Sequence, residues 1–151
     1  MELTGTASAE FSASHVVKGH PSCGRLHGHR WRCEVTIAAG QDPETGDLVG
    51  LPELANAVEE FTRELHREHI NDMLPASPPT SLGVGYALRE RLSLTYSNIV
   101  RIDVWMDEVM VTIRQSRTAR RRSAASTPAS FRPRSRPARR SSTSASRSAP
   151  R

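Results

Sequence analysis

Three histidines and a cysteine, His15, Cys23, His27 and His29, fall within a fifteen-residue stretch near the N-terminus. Imidazoles and a thiol at that density can build an open metal site beside a reactive sulfur. Catalytic zinc takes three protein ligands and leaves a fourth position for water or substrate. His27 and His29 are two apart, so on a β-strand both rings leave the same face. Phe11, Ala13 and His15 alternate with Ser12 and Ser14 and read as one face of another strand. Antiparallel pairing of the two strands across residues 16–26 would bring the three imidazoles together. Gly28 carries no side chain and leaves room on the opposite face. A single histidine more often serves some other role; the grouping carries the metal reading.

A closed site can also be drawn from Cys23-x-x-x-His27-x-His29-x-x-x-Cys33, as a Cys2His2 structural centre. Strand geometry opposes it. From His29 to Cys33 an extended chain runs roughly 13 Å, far beyond a zinc–sulfur bond of about 2.3 Å. Cys33 shares a face with Trp31 and Val35 and reads as a small core residue.

Phe11-Ser-Ala-Ser-His15, followed by Gly19-His-Pro-Ser-Cys-Gly-Arg-Leu-His-Gly-His29, resembles the 6-pyruvoyltetrahydropterin synthase / 6-carboxytetrahydropterin synthase family. The likeness continues more weakly through Asn71-Asp72 and Pro79-Thr80 to about Glu108. The Cys-x-x-x-His-Gly-His spacing is that of the carboxy-forming synthases of queuosine (7-deazaguanine) biosynthesis. The resemblance implies an α+β tunnelling fold (T-fold): a four-stranded antiparallel sheet with two helices on one face, in the order ββααββ, assembled as a homohexamer. It implies 7,8-dihydroneopterin triphosphate as substrate, in a site between subunits. It also implies His15, His27 and His29 as ligands of Zn2+, and Cys23 as the catalytic cysteine.

The elements that must position these residues can be read from the pattern. Residues 5–17 and 27–39 read as strands, the second with Trp31, Val35 and Ile37 alternating with polar positions. Residues 40–50 are turn material. Pro52 opens a helix, in which Leu54, Val58, Phe61 and Leu65 give amphipathic spacing as far as about Glu68. Thr80 or Ser81 is placed to N-cap a second helix through Leu92, although Gly83 and Gly85 weaken its start. Residues 100–105 and 109–113 read as the third and fourth strands.

Charge divides the chain in two. The whole carries +5, which by itself would suggest a nucleic-acid partner. Yet residues 114–151 hold twelve of the 21 basic residues and no acid. The remaining nine stand against all 16 acids, so residues 1–113 carry −7. Residues 1–113 are therefore expected to form the domain, and 114–151 a disordered Arg/Ser/Pro-rich tail with too little apolar surface to repay ordering. An RNA-binding role for the tail, a solvated tail without a role, and a shifted reading frame remain open readings, with the RNA role the least favoured. No signal peptide and no apolar run of about 18 residues is seen. Two cysteines suit free thiols, and the expected compartment is the cytoplasm, with no membrane partner.

Chemistry follows from both readings. Cys23 can act as a base only as thiolate, with zinc and Arg25 as local positive charge. An exposed loop arginine is an equal reading of Arg25. The family's Asp-His pair, expected four and five residues before Asn71, is replaced by His66 and Arg67. His66 or His69 can substitute as general acid/base, being three apart on a helix; two solvated histidines are the alternative. The family's pterin-binding glutamate falls at Met106, with Asp107 and Glu108 just after it as substitute carboxylates. The leading expectation is a zinc-dependent 6-carboxytetrahydropterin synthase. The alternatives are a pyruvoyl-type triphosphate lyase, a side-chain aldolase acting on dihydroneopterin, and a zinc-binding family member with impaired catalysis.

Overall fold

A computed structural model describes residues 2–115. The alternation in the first forty residues folds into two long strands, β1 (Leu3–His15) and β2 (His27–Ala39). They pair antiparallel in an unbroken register from Leu3↔Ala39 through Ala13↔His29 to His15↔His27. Strands β3 (Ile99–Met106) and β4 (Val109–Arg114) extend the sheet in the order β1-β2-β3-β4, all antiparallel. This is the expected T-fold sheet. The fourth strand runs one residue past the expected 113, and the Gln115 N–H still donates to the Val100 carbonyl. The tail from residue 116 onward lies outside the described residues.

One face of the sheet is apolar and takes the helices. Ala7, Phe11 and Ala13 of β1, Trp31, Cys33, Val35 and Ile37 of β2, and Ile102 and Val104 of β3 are buried there. Helix α1 (Leu51–Leu65) covers it with Leu54, Val58, Phe61 and Leu65, the spacing read from the sequence. Helix α3 (Ser81–Ser93) covers it with Val84, Leu88 and Leu92, and the Thr80 hydroxyl caps it by accepting from the Gly83 N–H at 3.2 Å. A single turn, α2 (Ile70–Met73), lies between them.

The two glycines of α3 answer to packing. A Cβ on Gly85 would come within 2.7 Å of Ile113 Cδ1, so its absence lets the helix approach the sheet. On Gly83 a Cβ would lie 1.8 Å from the Pro78 carbonyl oxygen, so the Pro78-Pro79 loop can cross there only over a glycine.

Helix α1 stops earlier than its apolar spacing suggests. It ends at Leu65; His66 is the extended C-cap, and Arg67 adopts a left-handed backbone (φ 66°). The chain then runs along the β1 edge instead of continuing as helix. Arg67 N–H donates to the Ser12 carbonyl at 2.6 Å, and Ser14 N–H to the Glu68 carbonyl at 3.0 Å. Asn71 completes the seam, accepting from Val16 N–H at 3.0 Å and donating to the Val16 carbonyl at 2.9 Å. His66 and His69 therefore do not share a helical face. Backbone pairing with β1 outcompetes another helical turn, because it satisfies edge groups that would otherwise face water.

Candidate metal centre and thiol

The β1–β2 register stacks the three histidines at one end of the apolar face. His15 faces His27 directly, and His29 stands two pairs further in, opposite Ala13. Beneath them lies an aromatic platform. Trp31 stacks on Phe11 at 5.9 Å between centroids, donates its indole N–H to the Ala13 carbonyl at 3.2 Å, and meets His15 and His29 edge-on. This packing fixes ring positions before any ion is considered.

Each histidine is also fixed in tautomer. His15 Nδ1 lies 2.6 Å from the Pro79 carbonyl oxygen, and His27 Nδ1 lies 2.6 Å from the Arg25 carbonyl oxygen. Carbonyl oxygens only accept, so both Nδ1 atoms carry the proton. His29 Nδ1 lies 2.5 Å from Asp107 Oδ2, an ionised carboxylate that likewise accepts. The His29 contact and the Arg30 backbone N–H, which donates to Asp107 Oδ1 at 3.1 Å, hold that carboxyl below its ordinary pKa. All three Nε2 atoms are thereby left as lone-pair donors. A second partner that sets tautomer and orientation is the usual support of a metal-binding imidazole.

The Nε2 atoms face each other with nothing protonic between them. His15 Nε2 and His27 Nε2 are 3.0 Å apart, and His29 Nε2 is buried without a hydrogen-bond partner. Two acceptors in contact and a third orphaned are unfavourable unless a cation sits among them. Burial, then the neighbouring histidines, holds His15 below the usual imidazole pKa against the opposing Pro79 contact, which keeps it neutral. The Cys23 sulfur joins the group, and its Sγ and the three histidine nitrogens lie within 4.8 Å of one another. Three neutral imidazoles and one adjacent thiol can hold a metal ion.

The loop from Val16 to Leu26 folds back to deliver Cys23, whose side chain is buried. Val17 N–H donates to the Cys23 carbonyl at 2.7 Å, and His20 N–H to the Val17 carbonyl at 3.0 Å. Cys33 lies elsewhere, wholly buried in the sheet, and burial pushes its thiol up to about 12. The closed Cys2His2 arrangement is therefore not formed.

The remaining candidates divide. His69 caps α2 and forms a bridge with Ser14, its Nδ1 lying 3.1 Å from the Ser14 hydroxyl, near enough to His15 to influence it. His66 is not brought to the cluster. Its Nδ1 accepts from the Ser12 N–H at 3.2 Å, and its ring lines a separate cleft with Glu10, Glu59 and Arg63. Arg67, at the other replaced position, lines a cleft of about 510 Å³ that also reaches His29 and Asp107. Asp107 is committed to His29 and Arg30, so Glu108, exposed beside it in the two-residue β3–β4 turn, is the carboxylate left over. Sequence reasoning missed the Pro79 and Arg25 carbonyls, Asp107 as a support of His29, and His20 beneath Cys23. Backbone carbonyls leave no residue-type signal at all.

Comparison with known proteins finds relatives of this chain. A protein of Archaeoglobus fulgidus, provisionally named 6-carboxy-5,6,7,8-tetrahydropterin synthase, is 30% identical over 101 residues, 67% of this chain and 85% of that one. The 6-carboxy-5,6,7,8-tetrahydropterin synthase of Rickettsia bellii is 47% identical over 45 residues, 29% of this chain and 33% of its own. The structure of Caenorhabditis elegans 6-pyruvoyl tetrahydropterin synthase superposes with a TM-score of 0.66 at 18% identity, over 77% of this chain and 97% of that one, and shows the shared fold. The family model described as 6-pyruvoyl tetrahydropterin synthase matches residues 4–116. With that match spanning most of its length, the chain belongs to the 6-pyruvoyl tetrahydropterin synthase family.

Proposed function

We propose that the chain is a zinc-dependent 6-carboxytetrahydropterin synthase, converting 7,8-dihydroneopterin triphosphate and water to 6-carboxytetrahydropterin, acetaldehyde and triphosphate. The observation that carries this reading is the convergence of three tautomer-fixed Nε2 atoms beside the Cys23 sulfur. His15, His27 and His29 would hold the zinc ion. When bound, zinc supplies Lewis acidity toward side-chain hydroxyls of the substrate and charge stabilisation as a C–H proton is lost. Cys23, as thiolate, takes that proton at Sγ. His69 is the nearer candidate to return a proton, since His66 faces another cleft. Glu108 offers the carboxylate for the pterin's amino and ring N–H groups, in a bidentate contact.

The remaining expectations belong to the same proposal: a cytoplasmic homo-oligomer, hexameric as the family's assembly implies, with the substrate bound between subunits. Among the described residues no helix is long and apolar enough to cross a membrane.

One observation favours a second reading. The replacement of the family's Asp-His pair by His66, turned to another cleft, and by Arg67, which cannot serve as a base, fits a zinc-binding member with impaired catalysis. Incubation of zinc-quantified protein with dihydroneopterin triphosphate, followed by mass spectrometry, separates the two. Carboxytetrahydropterin with acetaldehyde supports the first reading, a pyruvoyl product shifts it to the pyruvoyl branch, and no product at about one zinc per subunit supports the second.

A further inference from the structure

We infer that His20 is the positioning residue of the Cys23 thiol, its imidazole acting as the acceptor on which the turn carrying Cys23 is built. The inference rests on Cys23 being the reacting thiol and deepens that reading.

The main chain is fastened to His20 on both sides of the cysteine. On the N-terminal side, His20 Nδ1 accepts from the backbone N–H groups of Cys23 at 3.0 Å and Ser22 at 3.3 Å. On the C-terminal side, Gly24 passes so close to the His20 carbonyl oxygen that a Cβ would lie 2.8 Å from it. Gly19, at φ +81°, turns the chain into this arrangement, and His20 N–H closes it on the Val17 carbonyl at 3.0 Å. A ring nitrogen that accepts two N–H bonds carries no proton, so the tautomer of His20 is fixed with its proton on Nε2.

This arrangement leaves the sulfur free. Among the described residues Cys23 Sγ takes no hydrogen bond within its own loop, and the turn is fastened through its backbone N–H groups and the His20 ring. The thiol is set toward the three histidine nitrogens by the course of the main chain and not by a hydrogen bond of its own. A side chain that accepts from the second and third N–H groups after it forms an Asx-type turn, which asparagine makes as readily as any residue. Histidine does the same work here from a longer ring. His20 is not one of the four residues whose donor atoms cluster, and its ring nitrogen is taken by the main chain at Ser22 and Cys23, so it acts through Cys23.

The chain carries its own control for the test. Cys33 is wholly buried with its thiol pushed up to about 12, so it reports unfolding while Cys23 reports the turn. Full-length zinc-loaded protein is treated with iodoacetamide, and each cysteine is followed by peptide mass spectrometry in wild type, His20→Ala and His20→Asn. In His20→Ala, Cys23 labelling is expected to rise about tenfold with Cys33 still protected. Turnover of dihydroneopterin triphosphate should fall about 10- to 100-fold in kcat with little change in KM, the scale of a misplaced reacting group. His20→Asn should restore both. Wild-type labelling in His20→Ala overturns the inference, as does an asparagine variant no better than alanine. Cys33 labelled in step with Cys23 also overturns it, since His20 would then support the fold rather than the thiol. A wild type that turns nothing over removes the proposed reaction, while the labelling contrast still decides the role of His20.

Discussion

Asp107 and His29 come from opposite ends of the domain, 78 residues apart, and meet with the carboxylate 2.5 Å from Nδ1 of the ring. The same carboxylate takes the Arg30 N–H through its other oxygen, while the Asp107 N–H donates to the Arg30 carbonyl at 2.8 Å. The aspartate thus continues the β2–β3 ladder with its side chain and orients a donor in the same act. Replacing it with alanine is expected to weaken zinc binding about 10- to 100-fold, the usual effect of losing such a support. Competition against a chromophoric chelator measures this, and unchanged affinity would remove Asp107 from the site.

Gly83 acts on the cluster from further away. Its missing Cβ admits the Pro78 backbone, and the next residue supplies the carbonyl that holds His15 Nδ1. Gly83→Ala should displace this loop, lowering both thermal stability and zinc affinity. Gly40→Ala, where an added Cβ meets nothing within 4 Å, is the matched control and should change neither. Equal zinc affinity in Gly83→Ala and wild type would show that the Pro79 contact is dispensable.

The two cysteines should behave as different chemical species. A thiol-reactive chromogenic disulfide is expected to titrate one cysteine per native chain and two in denaturant, because Cys33 is wholly enclosed. Cys33→Ser places a hydroxyl where no partner waits and should cost about 1–3 kcal/mol in chemical denaturation. Cys33→Ala should cost less than serine if the polar group, and not the lost volume, dominates.

A fork between Glu64 and Arg91 ties α1 to α3, with guanidinium–carboxylate contacts at 2.5 and 2.7 Å. Arg91 holds the Glu64 carboxyl below its ordinary value of 4.5. The folded state thus binds this proton less readily than the unfolded chain, and the pair's stabilisation is present above about pH 4.5 and lost as pH falls through the folded value. Both side chains are substantially exposed, so the pair is worth at most about 0.5–1 kcal/mol. The stability difference between wild type and Glu64→Gln should therefore be measurable at pH 7 and shrink as pH falls below about 4.5. A difference that does not shrink with falling pH would assign the effect to packing.

What the sequence disclosed about this site depended on period. His27 and His29 were legible because a spacing of two fixes a shared strand face, and His15 because Phe11 and Ala13 set its parity. The apolar face of α1 was legible for the same kind of reason. Its end was not. The chain leaves the helix at Leu65 without a glycine to mark it, drawn off by pairing with Ser12 and Ser14, more than fifty residues earlier. His66 was misplaced by that one error, since a longer helix would have set it beside His69. The supports of His15 and His29 come from 64 and 78 residues away, and contacts at such separations leave no periodic trace. Gly83 and Gly85 looked like weaknesses in a helix because propensity describes an isolated segment, whereas here a loop and a strand press against them.

The unbroken ladder from Leu3↔Ala39 to His15↔His27 would give a bound metal ion an editorial part in assembly. A hairpin slipped by one residue would turn one strand's histidines away from the other's. A slip of two would keep the face but change the partner of His15: in one direction it would stand opposite His29 instead of His27, in the other it would part from His27 by about 7 Å, two residues' rise. A metal ion bound there would oppose the one-residue slips, adding its binding free energy to the parity of the ladder. The strands can therefore accept substitutions at many positions, but the insertion or deletion of one residue between Phe11 and Trp31 is tolerated only inside the loop.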